Sequence, residues 1–113
     1  MSEGKSAQAQ GGAKFAVKVE FALRPEARAA FLALVLANAA ASLREEADCQ
    51  NFDVLEPLSA GGADVMLYEI YASRAAFEAH LRTPHFLAFD DATRDMVVSK
   101  SIAEYVVLDP ASA

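Results

Sequence analysis

The first regular pattern in the chain is a strict alternation of apolar and polar positions. One face of this segment carries Phe15, Val17, Val19, Phe21 and Leu23, and the other carries Lys18 and Glu20. A period of two is typical of a β-strand with one buried face, so a strand is predicted over residues 15–23. Pro25 follows at once, and proline is favoured in the first turn of a helix.

A helical period replaces the alternation over residues 25–46. The predicted buried stripe consists of Ala27, Phe31, Leu34, Val35, Asn38 and Ser42, widened by Leu32, Leu36 and Leu43. Asn38 therefore falls on or beside the buried face, where an amide needs hydrogen-bond partners. Two interpretations stay open, namely a bond to a neighbouring backbone carbonyl and an amide that orients a substrate.

Two strands joined by a hairpin are predicted next, over residues 51–58 and 64–71, with Gly61-Gly62 at the turn. Asp48, in the turn before them, is expected to adopt a left-handed conformation. On the second of these strands, Glu69 and Tyr71 share one face and Tyr68 lies on the other. Both faces are apolar or aromatic, which favours a sheet covered on both sides, by helices and by a second copy of the chain.

The remainder predicts a pair of helices and a last strand. Ser73 is a suitable N-cap, Phe77, His80 and Leu81 share a helix face, and Thr83-Pro84 ends one helix and starts another. The apolar stripe of the restarted helix runs through Phe86, Phe89, Thr93, Met96 and Val97, and the last strand is placed at residues 102–108. The order β-α-β-β-α-β is that of an α+β, ferredoxin-like antiparallel sheet with helices on one face.

Length, charge and cysteine content narrow the possibilities. The 113 residues suit one domain, predicted over residues 14–109 after a disordered tail at residues 1–13. A net charge of −6 argues against nucleic-acid binding, which needs clustered Lys and Arg. No stretch is interpreted as a membrane span. The single cysteine, Cys49, can form no internal disulfide and belongs to no metal-ligand spacing, so a reducing cytoplasm and no metal are expected.

Two blocks of the sequence resemble the antibiotic biosynthesis monooxygenase (ABM) domain family. The first, at residues 44–55, is similar to the family's turn and strand "E-x-G-C-x-x-F/Y-D-V". The second consists of Tyr68-Glu69-Ile70-Tyr71, Ala76-Phe77, His80-Leu81 and Thr83-Pro84-His85-Phe86. The resemblance implies a dimeric α/β barrel built from two sheets. Family members include cofactor-free monooxygenases of quinols and aromatic polyketides, haem-degrading enzymes and an isomerase of autoinducer-2 processing.

The chain departs from the family pattern at two positions. Asp48 stands where the family usually has Gly, and Tyr71 stands where many members have Trp. The haem-degrading members combine an Asn on the first strand with a Trp and a His. The predicted first strand has no Asn and the chain has no Trp, which argues against haem degradation.

Cofactor-free oxygenation implies a base, groups that hold an anion and a dry pocket. His80 is the candidate base because imidazole titrates near neutral pH. Asn38, Tyr68 and Tyr71 are candidates for holding substrate oxygens, and Glu69 for orienting a histidine or pairing across a dimer. His85 is expected at a helix start or the pocket mouth. The candidate walls are Phe31, Phe52, Phe77, Phe86 and Phe89.

Each of these residues also has a structural interpretation. His80 and Glu69 can simply satisfy each other or a carbonyl, Tyr71 can be core or interface, and the phenylalanines can be core. The leading hypothesis is a monooxygenase that uses a quinol or small aromatic and O2, without cofactor, as a cytoplasmic homodimer. The alternatives are an isomerase of a small (phospho)hydroxy-ketone that uses His80 and Glu69, and a non-catalytic dimeric ligand-binding module.

Overall fold

The structure, a computed structural model, describes residues 13–112, so nearly all of the tail predicted at residues 1–13 lies outside the described residues. The strands are β1 (Phe15–Leu23), β2 (Cys49–Leu55), β3 (Val65–Tyr71) and β4 (Val97–Val106). The α-helices are α1 (Arg28–Glu45), α2 (Arg74–His80) and α3 (Pro84–Thr93). Short 3₁₀ turns lie at Pro25–Ala27, Arg94–Met96 and Pro110–Ser112. The predicted element order is confirmed.

The four strands form one antiparallel sheet in the order β2-β3-β1-β4. This is the ferredoxin-like arrangement, and the predicted fold class is confirmed. Residues that pair across the sheet share a face, so the register identifies two sides. The inner side carries buried residues such as Val17, Val65 and Leu67, whereas Lys18 and Tyr68, which pair with each other, lie on the outer side.

Aromatic packing fixes α1 and α3 on the inner side. The Phe31 ring of α1 lies 4.9 Å from that of Phe21 on β1 and 5.7 Å from that of Phe89 on α3. Phe31 and Val35 are fully buried, as the helical stripe predicted. Offset and edge-on aromatic contacts of this kind each contribute about 0.5–1.5 kcal/mol beyond the burial of their area.

Several predicted boundaries were wrong. β2 begins at Cys49 rather than 51 and ends at Leu55 rather than 58, and β4 spans 97–106 rather than 102–108. α3 ends at Thr93, so its apolar stripe does not continue through Val97, which is the first residue of β4. The polar run Ser99-Lys100-Ser101 hid the early start of β4, because a sheet edge tolerates polar side chains on both faces.

The left-handed conformation predicted for Asp48 was also wrong. Among the described residues, the positive φ angle belongs to Gly61 (109°) and to no non-glycine residue. The chain leaves α1 through Glu46, whose backbone is extended (φ −107°, ψ 106°), and Cys49 N–H donates to the carbonyl of Glu46. The turn therefore closes without the conformation that glycine provides.

Residues 25–45 are long and apolar enough to cross a membrane by length and composition, with a mean hydropathy of 1.4 over 18 residues. The expectation that no stretch approaches a span was therefore too strict, because the many Ala and Leu residues of this helix raise its hydropathy. The core helix of a soluble protein gives the same signal. In the structure 33% of this window is buried, including Phe31 and Val35 in the core.

Candidate active site

A cavity lies between the inner side of the sheet and the three helices. Its lining is mostly apolar and includes four polar side chains, those of Asn38, Glu69, His80 and Lys100. The apolar lining consists of Val19, Phe21, Phe52, Leu67, Phe77, Leu81, Phe86, Phe89 and Ile102. Its volume is about 40 Å³, which accommodates a few water molecules but is smaller than the roughly 150 Å³ that holds a benzene ring.

His80 is the last residue of α2, and its backbone is fixed there by the next turn. Its carbonyl accepts hydrogen bonds from the backbone N–H and the hydroxyl of Thr83. The imidazole is 2 % exposed and is surrounded by aromatic rings, with centroids at 5.4 Å for Tyr71 and 5.2 Å for Phe86. This packing holds the ring in one orientation.

Glu46 is the hydrogen-bond partner of this histidine. Its Oε2 lies 2.8 Å from Nδ1 of His80, and the Glu46 side chain is only 12 % exposed. Because a carboxylate only accepts, Nδ1 of His80 carries the proton and donates it. The neutral ring then has its lone pair on Nε2, the nitrogen available to a ligand in the cavity.

His85, in the first turn of α3, contacts the same carboxylate oxygen. Its Nε2 lies 2.5 Å from Oε2 of Glu46. The ligand atoms of Glu46, His80 and His85 lie within 4.8 Å of one another, which is compact enough for a divalent cation. However, ligands at about 2.1 Å from one ion lie about 3 Å or more apart. The shorter separations here are those of hydrogen bonds, so we interpret the cluster as a carboxylate that joins α1 to α2 and α3.

Burial lowers the pKa of His80 below its usual value, and the hydrogen bond that His80 donates to Glu46 only partly opposes this effect. His80 is therefore neutral at pH 7. A neutral imidazole with a fixed tautomer is a proton acceptor at a defined position, which is what general-base catalysis requires.

Asn38 projects from α1 into the same cavity. It is 4 % exposed, and its Oδ1 accepts no hydrogen bond from any described residue. The hydroxyl of Ser42 binds the backbone carbonyl of Asn38 and leaves the amide oxygen unpaired. A buried acceptor without a donor costs about 1–3 kcal/mol, and a ligand hydroxyl placed in the cavity would supply the missing donor.

Glu69 and Tyr71 form a second polar pair on β3. The Tyr71 hydroxyl donates to Oε1 of Glu69 at 2.6 Å. Burial raises the pKa of Glu69 to about 7, although the tyrosine hydrogen bond opposes this shift. Burial and the neighbouring carboxyl group raise the pKa of Tyr71, so its hydroxyl stays protonated. Glu69 is thus a second group in the cavity that exchanges protons near neutral pH.

Most of the residues predicted for the site surround this cavity. Seven line it, namely Asn38, Phe52, Glu69, Phe77, His80, Phe86 and Phe89. Tyr71 reaches it through Glu69, and His85 contacts Glu46 rather than the cavity. Phe31 lies behind the wall in the core, against Phe21 and Phe89. Tyr68 is on the outer side of the sheet and is not brought to the site.

Sequence reasoning missed two of the charged residues around the site. The helical pattern places Glu46 only at the end of a helix, yet Glu46 is the acidic residue of the block "E-x-G-C", which was the available signal. Lys100 lies in the polar run Ser99-Lys100-Ser101, which carries no signal of a site. Its pairing with Phe21 across β1 and β4 places it on the inner side, with Nζ 5.7 Å from the Phe21 ring centroid.

Comparison with known proteins gives the same family. The sequence profile described as "Antibiotic biosynthesis monooxygenase" matches residues 14–92. A protein of Mycobacterium tuberculosis named "Putative monooxygenase Rv0793" is 36% identical over 100 residues, covering 87% of this chain and 95% of its own. The solved structure of Rv0793 superposes with a TM-score of 0.76 at 32% identity, over 87% of this chain and 98% of that one.

Other solved structures share the fold. A "Putative antibiotic biosynthesis monooxygenase" from Nitrosomonas europaea has a TM-score of 0.80 at 26% identity, over 88% of this chain and 94% of that one. A structure from Bacteroides fragilis, described as a dimeric protein of unknown function and ferredoxin-like fold, has a TM-score of 0.74 over 83% of this chain and 96% of that one. At 14% identity it supports the fold alone. The family profile spans most of the chain, so the chain belongs to the antibiotic biosynthesis monooxygenase family.

Proposed function

We propose that the protein is a monooxygenase that oxidises a quinol or related small aromatic with O2, with His80 as the base and without a bound cofactor. The observation that carries the proposal is the Glu46–His80 pair at a mostly apolar cavity. The names of the relatives support a monooxygenase in general terms.

The chemistry follows from the spin state of oxygen. Ground-state O2 is a triplet and reacts slowly with neutral organic molecules, whereas a phenolate or quinol anion transfers an electron to it readily. Nε2 of His80 accepts the proton from one substrate hydroxyl, and Glu46 stabilises the imidazolium that forms. Oδ1 of Asn38 accepts a hydrogen bond from a hydroxyl that keeps its proton.

The reaction balances without an added reductant. The anion passes one electron to O2, the resulting radicals combine into a C–O bond, and the hydroperoxide loses water. One oxygen atom stays on the ring and the other leaves as water. The quinol supplies all four electrons and becomes a hydroxyquinone. The protein's contribution is to generate the anion and to exclude bulk water.

The small volume of the cavity limits the size of the substrate, and part of the wall must move before an aromatic ring can enter. At about 40 Å³ the cavity holds no aromatic ring until a wall shifts. Ile102, at the edge strand β4, is half exposed and marks the side where the lining meets solvent. We propose entry of a single-ring substrate from this side, between β4 and the helices.

We further propose that the protein is a cytoplasmic homodimer joined through the outer sides of two sheets. This side exposes Leu55, Tyr68 and Tyr105, large apolar side chains that an isolated chain would leave in water. One relative by fold is described as dimeric. Sedimentation at micromolar concentration tests this proposal, and a monomeric mass would refute it.

An isomerase is the second candidate, because Glu69 lines the same cavity as His80 and its pKa is raised to about 7. The cavity thus has a second group that can act as an acid or a base. Two such groups can move a proton between the carbons of a hydroxy-ketone. Incubation of a small hydroxy-ketone with the protein in D2O would show protein-dependent exchange of the C–H proton by NMR. Exchange without oxygen uptake on any quinol would select this function instead.

Oxygen uptake with a panel of single-ring hydroquinones tests the leading proposal. We expect O2 consumption by the wild type and a loss on the order of 10²-fold in His80→Ala, partly restored by added imidazole. Tyr68→Phe, on the outer side of the sheet, is the matched control and should retain activity. Absence of uptake with every hydroquinone, or full activity of His80→Ala, would refute the proposal.

A further inference from the structure

The four polar side chains of the cavity differ in whether the protein already satisfies them. His80 is bonded to Glu46, and Glu69 accepts from Tyr71. By contrast, Oδ1 of Asn38 has no donor among the described residues, and Lys100 forms no salt bridge within the part of the chain that the structure describes. A ligand that fills the cavity can improve the hydrogen bonding of these two groups.

Lys100 differs from an ordinary surface lysine in its position. It lies on the inner side of the edge strand β4, its ammonium lies over the ring of Phe21, and it lines the cavity. The positive charge of Lys100 acts on the buried carboxyl group of Glu69, because it lowers the pKa of Glu69 whereas burial raises it. Glu104, also on the inner side of β4 but beyond Ile102, differs from Lys100 because its carboxylate binds Arg74.

Asn38 and Lys100 belong to different walls of the cavity. Asn38 is on α1, which packs on β2, whereas Lys100 is on β4 at the opposite edge of the sheet. Asn38 offers an acceptor in a buried position and Lys100 offers a cation near solvent. Asn38 therefore requires a hydrogen-bond donor, and Lys100 favours an anion.

We infer that the substrate is a single-ring aromatic acid, with a hydroxyl group that donates to Asn38 and a carboxylate or similar anionic group held by Lys100. This inference deepens the proposed function, on which it rests, by defining the substrate class of the same cavity. The carboxylate stays at the mouth, where it remains partly hydrated. The hydroxyl-bearing carbons lie inside, beside the base.

Lys100 also counteracts the negative electrostatic potential that would repel an anionic ligand from the cavity. The chain carries a net charge of −6, Glu46 is bonded to His80, and Glu69 lines the cavity, so an anionic ligand would otherwise be repelled from the cavity. Lys100 is the one lysine or arginine among the described residues that line the cavity. Discrimination between an acid and a neutral ring therefore depends on this residue.

Binding of 4-hydroxybenzoate, hydroquinone and benzoate, measured by calorimetry, tests the inference. We expect the wild type to bind 4-hydroxybenzoate about fivefold more tightly than hydroquinone, the effect of one partly exposed ion pair. Lys100→Met should remove this preference, so that 4-hydroxybenzoate and hydroquinone bind with similar affinity, while Lys100→Arg should keep it. Lys14→Met is the matched control, because it removes the same charge from an exposed position at the start of β1.

A second arm tests the role of Asn38. Asn38→Leu should weaken binding of 4-hydroxybenzoate more than binding of benzoate, which lacks the hydroxyl. Equal affinity for acid and neutral ring, an unaltered preference in Lys100→Met, or binding of none of the compounds at millimolar concentration would each overturn the inference. Oxygen uptake is not the readout, so Lys100-dependent binding without oxygenation would refute the monooxygenase proposal alone.

Discussion

Glu46 and His80 are 34 positions apart in sequence and share a hydrogen bond of 2.8 Å between a carboxylate oxygen and Nδ1. The carboxylate follows the last residue of α1, and the imidazole is the last residue of α2. The two helix ends thus meet beside the cavity. This contact fixes the tautomer of the histidine and leaves Nε2 as its acceptor, which is the basis of the proposed chemistry.

Substitution Glu46→Gln should preserve the shape of this contact and remove its charge. Because the carboxylate raises the pKa of His80, the substitution should lower that pKa further, and nitrogen NMR of the histidines measures the change. The turnover number for hydroquinone oxidation should fall on the order of 10²-fold. Glu45→Gln is the control, since that side chain is exposed and pairs with Arg44. An unchanged His80 pKa in Glu46→Gln would contradict the account.

Asn38→Leu should stabilise the protein and impair its activity. Leucine is similar in size to asparagine and removes an unpaired buried acceptor, so the free energy of unfolding should rise by about 1 kcal/mol. Substrate would lose the acceptor for its hydroxyl, and kcat/KM should fall about tenfold or more. Urea denaturation and oxygen uptake measure the two effects. A destabilised variant would instead indicate that the amide has a structural partner.

Glu69 should make stability depend on pH in a defined direction. Its pKa is raised from 4.5 to about 7 in the folded state, so its contribution is fully present below pH 4.5 and is lost as the pH rises through about 7. The difference corresponds to about 3 kcal/mol. Glu69→Gln removes this dependence and can still accept from Tyr71.

Urea unfolding of wild type and Glu69→Gln at pH 5 and pH 8 measures that contribution. The variant should gain stability relative to the wild type by about 2–3 kcal/mol between the two pH values. His80 acts in the opposite sense, because its lowered pKa gives stability that is present above pH 6.5 and lost on acidification. Its contribution is common to both proteins and cancels in the comparison. A pH-independent difference would refute the assignment.

Cys49 should be unreactive in the folded protein. It is buried, and burial together with Glu46 and Glu69 raises the pKa of its thiol to about 11. Since the thiolate is the reactive form, reaction with a disulfide reagent at pH 8 should be at least about 100-fold slower in buffer than in urea. Absorbance of the released thiol follows the reaction. Equal rates would show that this strand end opens freely.

The sequence predicted the elements with a clear period and missed contacts between distant segments. The alternation in β1, with Val17 and Val19 buried and Lys18 opposite them, follows directly from the pleat of a strand. The helical spacing of Phe77 and His80 likewise predicted that both face the core. Such patterns depend on neighbours within a few residues.

The role of Glu46 depends instead on how α1 meets α2, which no local pattern specifies. Similarly, the position of Lys100 depends on the register between β1 and β4, and a shift of one residue would turn it to the outer side. The early start of β4 was missed for two reasons: Val97 also fits the apolar stripe of the preceding helix, and a polar run at residues 99–101 follows it. Tyr68 was separated from the site by strand alternation, which the sequence indicated.

Oxygen-isotope labelling follows the oxygen atom that the proposed reaction adds to the ring. Hydroquinone is incubated with the protein under ¹⁸O2, and the product is analysed by mass spectrometry after rapid quenching. We expect one ¹⁸O atom in the hydroxyquinone that the wild type forms, and loss of this product in His80→Ala. Product without ¹⁸O, or equal labelling by the wild type and His80→Ala, would contradict the proposed reaction.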